Sequence, residues 1–231
     1  MNLGVRIGAV ARRVDRHFGI MALLNGEPRP PAGGFDLKGE KLVDWGWVCA
    51  NLPPGPKHAL EIGPGESPII PAMLSLGYEV TAVDAWAAPA SIIEGFRFVQ
   101  GDFNEFSGDQ RFDVIVLCSV VEHIGLAGRY NSVEDIDGDL KAMEHVRDLL
   151  EPEGRVLLTI PVGRDAVHRP WHRVYGRERL PRLLEGFEVI QGRFLQKEPE
   201  SAWFETTRER ALDSPVDIRR YALGEMILRR S

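Results

Sequence analysis

With 231 residues, 44% of them hydrophobic, the chain can bury one substantial core and carries no compositional sign of disorder. Its net charge of -6 argues against a surface built to neutralise many phosphates, so nucleic acid is not an expected partner. No apolar run approaches the ~18 to 20 residues of a membrane span, and the start lacks an apolar stretch leading to a small-residue cleavage site.

Leu3, Ile7, Val10, Val14, Phe18 and Met21 recur at helical spacing with Arg6, Arg12, Arg13, Asp15 and Arg16 between them, which predicts an amphipathic helix. Prolines and glycines over 26–34 then break any regular element. Residues 1–34 are therefore expected as a helix and linker, and 35–231 as the main domain. A helix set apart in this way suits a lid or a homodimer contact, while its basic face leaves a membrane-surface role open. A second helix is predicted over 39–51, burying Leu42, Trp45 and Val48 and ended by Pro53, Pro54 and Pro56. Cys49 and Cys118 lie far apart in apolar surroundings and read as free thiols, which fits a cytoplasmic protein.

From residue 58 short apolar runs alternate with helical patterns. Candidate strands cover 58–62, 79–83, 96–100, 114–118, 155–160, 187–194 and 221–228. Helix-length intervals separate the first five, and the last two read as antiparallel arms joined by an excursion through Trp203. The expected fold is α/β: a doubly wound, seven-stranded, mostly parallel sheet whose last strand is antiparallel.

The first strand runs into Glu61-Ile62-Gly63-Pro64-Gly65-Glu66-Ser67-Pro68, where two glycines allow a tight turn with room for a ligand. No Gly-Lys-Ser/Thr follows, which excludes a phosphate-binding P-loop, and Pro68 stands where a dinucleotide loop prefers a small residue. Ser67 and Pro68 suit the start of a helix. The second strand leads to Asp84-Ala85, where a carboxylate can accept both hydroxyls of a ribose, and Gly101-Asp102-Phe103 closes the third. An acidic Glu61 suits a ligand bearing an amino group and a sulfonium better than a pyrophosphate. Asp84 and Asp102 could equally cap helices, and Glu61 could pair with a lysine or arginine.

These motifs, in this order, resemble the class I S-adenosylmethionine-dependent methyltransferases over roughly residues 55–231. The resemblance implies that Glu61, Gly63, Pro64 and Gly65 surround the methionine part of the cofactor. It likewise places the ribose at Asp84 and Ala85, and the adenine at Asp102 and Phe103. The segment 112–119, ending in Cys118 and Ser119, is similar to the one lining the methyl-transfer site. Leu149-Leu150-Glu151-Pro152-Glu153-Gly154-Arg155 is similar to the family's turn before strand five, with Glu153 where glycine is more usual.

Transfer to a hydroxyl needs a base near the fourth strand tip. Glu122 and His123 follow that tip, and histidine titrates near neutrality; His145 and His172 are further candidates. The acidic stretch 132–139 reads as a solvated helix cap rather than a calcium loop, although Asp137 could serve as base or through a bound Mg²⁺. Trp171 within 168–175 suits either stacking on a sugar ring or a packed loop. The histidines there lack a zinc-ligand set, and no resident metal is expected. Segments 118–166 and 172–176 resemble sugar O-methyltransferases encoded with glycan-building enzymes, including those of actinobacterial methylmannose polysaccharide. That implies an oligosaccharide acceptor; a small natural product is the alternative. An NAD-dependent oxidoreductase and a cofactor-binding protein without catalysis also stay open.

Overall fold

The computed structural model describes residues 40–231 apart from 56, 66, 87–94, 109, 129–132 and 198–202. The helix and linker expected over 1–34 lie outside the described residues. Among the described residues, ten strands occur in chain order: β1 (His58–Ile62), β2 (Glu79–Asp84), β3 (Phe96–Gln100), β4 (Phe112–Cys118), β5 (Leu150–Val162), β6 (Ala166–His168), β7 (His172–Val174), β8 (Phe187–Lys197), β9 (Trp203–Thr206) and β10 (Ala222–Arg230). Five α-helices accompany them: α1 (Lys41–Asn51), α2 (Ile69–Ser75), α3 (Gly138–Leu149), α4 (Arg179–Leu183) and α5 (Arg208–Asp213).

Eight strands form one sheet in the order β3-β2-β1-β4-β5-β10-β8-β9. The β3-to-β5 half is parallel, and the β10, β8 and β9 half is antiparallel. Because side chains alternate across a strand, the apolar runs feed two cores. Leu60, Ile115, Leu117, Val156 and Leu158 pack with α3, α4 and α5 on one face. Ala59, Val114, Val116, Leu157 and Ile227 pack with α1 and α2 on the other, so the sheet is doubly wound. No helix among the described residues is long and apolar enough to cross a membrane.

The structure departs from expectation at several elements. The eighth strand, β9, lies within the predicted excursion and pairs antiparallel with the end of β8; four residues are too few for alternation to stand out. Between β3 and β4 the described residues form a 3-10 turn, Phe103–Glu105, rather than a helix. Strand β5 begins at Leu150, opposite Phe112, and a register shift absorbs the residues expected as a turn. The stretch around Trp171 forms the β6–β7 hairpin. Helix α1 is rotated from the predicted phase: Leu42 is 55% exposed and Trp45 half-buried, whereas Asp44, Trp47 and Val48 face inward. An inward aspartate is what apolar periodicity cannot anticipate, and its partner lies in the site.

Candidate active site

Parallel strands bring the carboxyl ends of β1, β2, β3, β4 and β5 to one edge, where loops of a doubly wound sheet form ligand clefts. At the end of β1 the Glu61 side chain is 1% exposed. Its Oε1 accepts from Ser67 Oγ at 2.6 Å, while its Oε2 is buried without a partner. Burial pushes this carboxyl up to about 7, against the pull of Ser67. Gly63 and Gly65 both adopt positive φ, +62° and +54°. A Cβ on Gly63 would lie 2.3 Å from Val120 Cγ2, whereas one on Gly65 would meet nothing within 4 Å. The first glycine is needed for close packing and the second borders open space.

Asp84 closes the other side. Its Oδ2 accepts from the Gly65 amide at 3.1 Å and its Oδ1 from the Trp86 amide at 2.9 Å, so it shapes the loop as well as facing it. Pro64 is buried and Ala85 half-buried beside these residues. At the β3 tip Asp102 Oδ1 caps the 3-10 turn through the Asn104 amide at 2.9 Å. The Phe103 ring packs inward against His145 and Phe106, with centroids 5.0 and 6.3 Å away. The ring expected beside an adenine is thus 5% exposed and belongs to the core.

Ser119, just beyond β4, has φ +49°, an uncommon backbone for a residue with a Cβ. Its amide donates to the Thr159 carbonyl and to Thr159 Oγ1, both at 3.0 Å, and its hydroxyl donates to Asp44 Oδ2 at 2.6 Å. Asp44 is fully buried with Oδ1 unpartnered. Burial pushes its carboxyl up to about 7, although Ser119 and Lys41 pull it down. Burial likewise holds the Cys118 thiol well above its usual value, so it sits protonated. Both cysteines are free thiols, Cys118 buried and Cys49 half-buried.

A short 3-10 turn, Val121–His123, carries the candidate bases. Glu122 is 3% exposed, burial pushes it up to about 8, and its Oε2 has no partner. Its Oε1 lies 3.7 Å from His123 Nε2. His123 Nδ1 lies 2.5 Å from the Trp171 carbonyl. A carbonyl only accepts, so Nδ1 carries the proton and a neutral ring keeps Nε2 as an acceptor. The His172 ring stands 6.5 Å from His123 and 5.2 Å from Tyr221, whose hydroxyl donates to Glu40 Oε2 at 3.0 Å. Glu122, His123, Trp171 and His172 therefore meet near the β4 tip. His145 does not join them: its Nε2 donates to the Phe106 carbonyl at 2.7 Å and its ring packs on Phe103.

The acidic stretch is also different from its sequence expectation. Asp137, the carboxylate expected as base or Mg²⁺ ligand, is half-exposed, and its Oδ1 lies 3.2 Å from Arg179 and 3.5 Å from Arg182. Asp139, expected in a solvated cap, is fully buried among Arg173, Tyr175 and Arg179. Arg173 is itself 0% exposed and donates to the carbonyls of Glu122, Ile124, Asp135 and Ile136. It ties β7 to the loop carrying the candidate bases. No group of three metal-ligating side chains converges among the described residues.

Sequence reasoning missed Asp44, Thr159 and Arg173. Each takes its role from a partner distant in sequence, so no local pattern marks it.

A family model described as "Caenorhabditis protein of unknown function, DUF268" matches residues 72–227. The chain belongs to this DUF268 family. No curated protein matches it significantly in sequence. Among solved structures, the DUF268 chain is similar to Burkholderia thailandensis 1,6-didemethyltoxoflavin-N1-methyltransferase, with bound 1,6-didemethyltoxoflavin and S-adenosylhomocysteine. The TM-score is 0.58 at 18% identity, covering 100% of this chain and 92% of that one. It is also similar to the N-methyltransferase NodS from Bradyrhizobium japonicum WM9 in complex with S-adenosylhomocysteine, at TM-score 0.54 and 18% identity, covering 83% and 86%. The glycopeptide N-methyltransferase MtfA complexed with S-adenosylmethionine matches at TM-score 0.53 and 18% identity, covering 88% and 100%. The DUF268 chain thus has the Rossmann-like fold found in methyltransferases, with an eight-stranded sheet.

Proposed function

We propose that this protein is an S-adenosylmethionine-dependent methyltransferase. The observation that carries the reading is the loop at the β1 end: a buried carboxylate with an unpartnered oxygen, two positive-φ glycines and open space beside Gly65, with Asp84 facing them. These groups fit a ligand with an amino group, a sulfonium and a ribose, since Glu61 offers an acceptor in a negative environment and Asp84 retains acceptor lone pairs. When bound, S-adenosylmethionine supplies a methyl carbon activated by its sulfonium. Glu61, Gly63, Pro64, Gly65, Asp84, Ala85 and Asp102 would hold it, with Cys118 and Ser119 at the transfer edge.

His123 is the favoured base, because the Trp171 carbonyl takes the Nδ1 proton and so sets Nε2 as the basic nitrogen of the neutral ring. The favoured acceptor is a sugar hydroxyl of an oligosaccharide, supported by Trp171, 41% exposed beside His123, which offers an aromatic face next to polar groups. A small-molecule amine is the second reading, favoured by N-methyltransferases among the similar folds.

Calorimetric titration with S-adenosylhomocysteine and NADH tests the cofactor. Saturable binding of the former is expected, weakened by roughly 2 to 4 kcal/mol in Asp84→Ala, and binding of NADH alone would overturn the proposal. Methyl-labelled cofactor offered with sugars, phenols and amines tests the acceptor. Label on sugar, lowered about a hundredfold or more by His123→Ala, is expected; label only on amines or phenols rejects the sugar.

A further inference from the structure

Asp44 is a carboxylate with half of its capacity unused. It is fully buried between α1 and the β4 tip, and Ser119 satisfies only Oδ2. Ser119 has no second proton to give: its amide is committed to Thr159 and its hydroxyl to Asp44. A second buried acceptor, Glu122 Oε2, is likewise unpartnered, and Lys41 and Glu40 act electrostatically on both carboxyls. Among the described residues, Lys41 is the cation that Asp44 and Glu122 share, while Glu40 acts on both carboxyls and Glu225 adds to the negative field at Asp44. A buried carboxylate oxygen without a donor is costly, and native proteins keep few of them unless a ligand completes the set.

We propose that Asp44 Oδ1, fixed by the Ser119 hydroxyl, is a binding site for an ammonium group. An ammonium brings several N–H donors and a positive charge to a buried acceptor oxygen that has no donor, beside further carboxyls, whereas a phosphate or carboxylate would meet repulsion. The inference rests on the methyltransferase reading, which offers two sources of this chemistry: the amino-acid portion of the cofactor, or an amine on the acceptor.

Asp44→Asn keeps an oxygen for Ser119 while removing the charge, and Asp44→Ser gives a second, smaller variant should the first not fold. Each is titrated with S-adenosylhomocysteine and with 5′-methylthioadenosine, which lacks the amino-acid portion. Cofactor recognition predicts at least a tenfold loss for the former and none for the latter. Acceptor recognition predicts unchanged affinity for both, with KM rising tenfold or more for amine acceptors and not for neutral ones. Wild-type values throughout, or equal losses for the two nucleosides, overturn the assignment. Failure of the wild-type protein to bind S-adenosylhomocysteine would instead remove the methyltransferase reading on which it rests.

Discussion

Two glycines in one loop separate structural from ligand-facing roles. Gly63→Ala combines positive φ with a Cβ 2.3 Å from Val120 Cγ2, so a stability loss of about 2 to 4 kcal/mol is expected in urea denaturation. Gly65→Ala meets no neighbour, so only the backbone penalty of about 1 kcal/mol applies. Its methyl group would nevertheless project into the cleft. Calorimetry should then find S-adenosylhomocysteine binding weakened at least tenfold with the melting temperature only slightly lowered, and undiminished affinity would show that the loop cradles something else. Glu61, Gly63, Gly65, Asp84 and Asp102 were legible in the sequence because each stands where a short strand ends. Asp44 was not, because its meaning depends on Ser119, 75 residues away.

Elements were readable to the extent that their neighbours matched their pattern. The continuous apolar run of β4 announces a strand buried on both faces, and the structure buries all of Val114–Cys118. Polar contacts made by tertiary folding were illegible: the acidic stretch before α3 suggests a solvated cap until Arg173, from the hairpin, reaches beneath it. Arg173 and Asp139 are both 0% exposed, and the guanidinium also serves four loop carbonyls. Arg173→Met should leave a buried carboxylate with less compensation and several carbonyls without their donor, costing about 3 to 5 kcal/mol. Urea titration measures this. A loss below about 1 kcal/mol would mean that the hairpin and the loop bearing Glu122 and His123 are held together by other contacts.

At the scale of the whole molecule, these buried acids make stability depend on pH in an unusual direction. Burial raises Asp44 and Glu61 to about 7 and Glu122 to about 8, whereas in the unfolded chain they titrate near their ordinary values of 3.8 and 4.5. Between those limits the folded state retains protons that the unfolded state has released, so stability falls as pH rises. The ligand-free protein should therefore lose stability on going from pH 5 to pH 8, on the order of several kcal/mol in total. Acid sets the opposite limit. Glu134, lowered chiefly by the Ala127 amide and by Arg169, and Asp135, lowered chiefly by Lys141, favour their ionised forms in the fold, and that contribution disappears as pH falls through their lowered values. A cationic ligand at the buried carboxylates should favour their ionised forms, so binding S-adenosylhomocysteine, through its ammonium, should release protons near pH 6.5 and flatten the decline toward pH 8. Thermal melts across pH with and without this nucleoside, joined to calorimetry in buffers of different ionisation enthalpy, test both halves. Proton uptake on binding, or a ligand-free protein most stable at pH 8, would show that these acids are already ionised in the fold and that their burial is offset from within the protein.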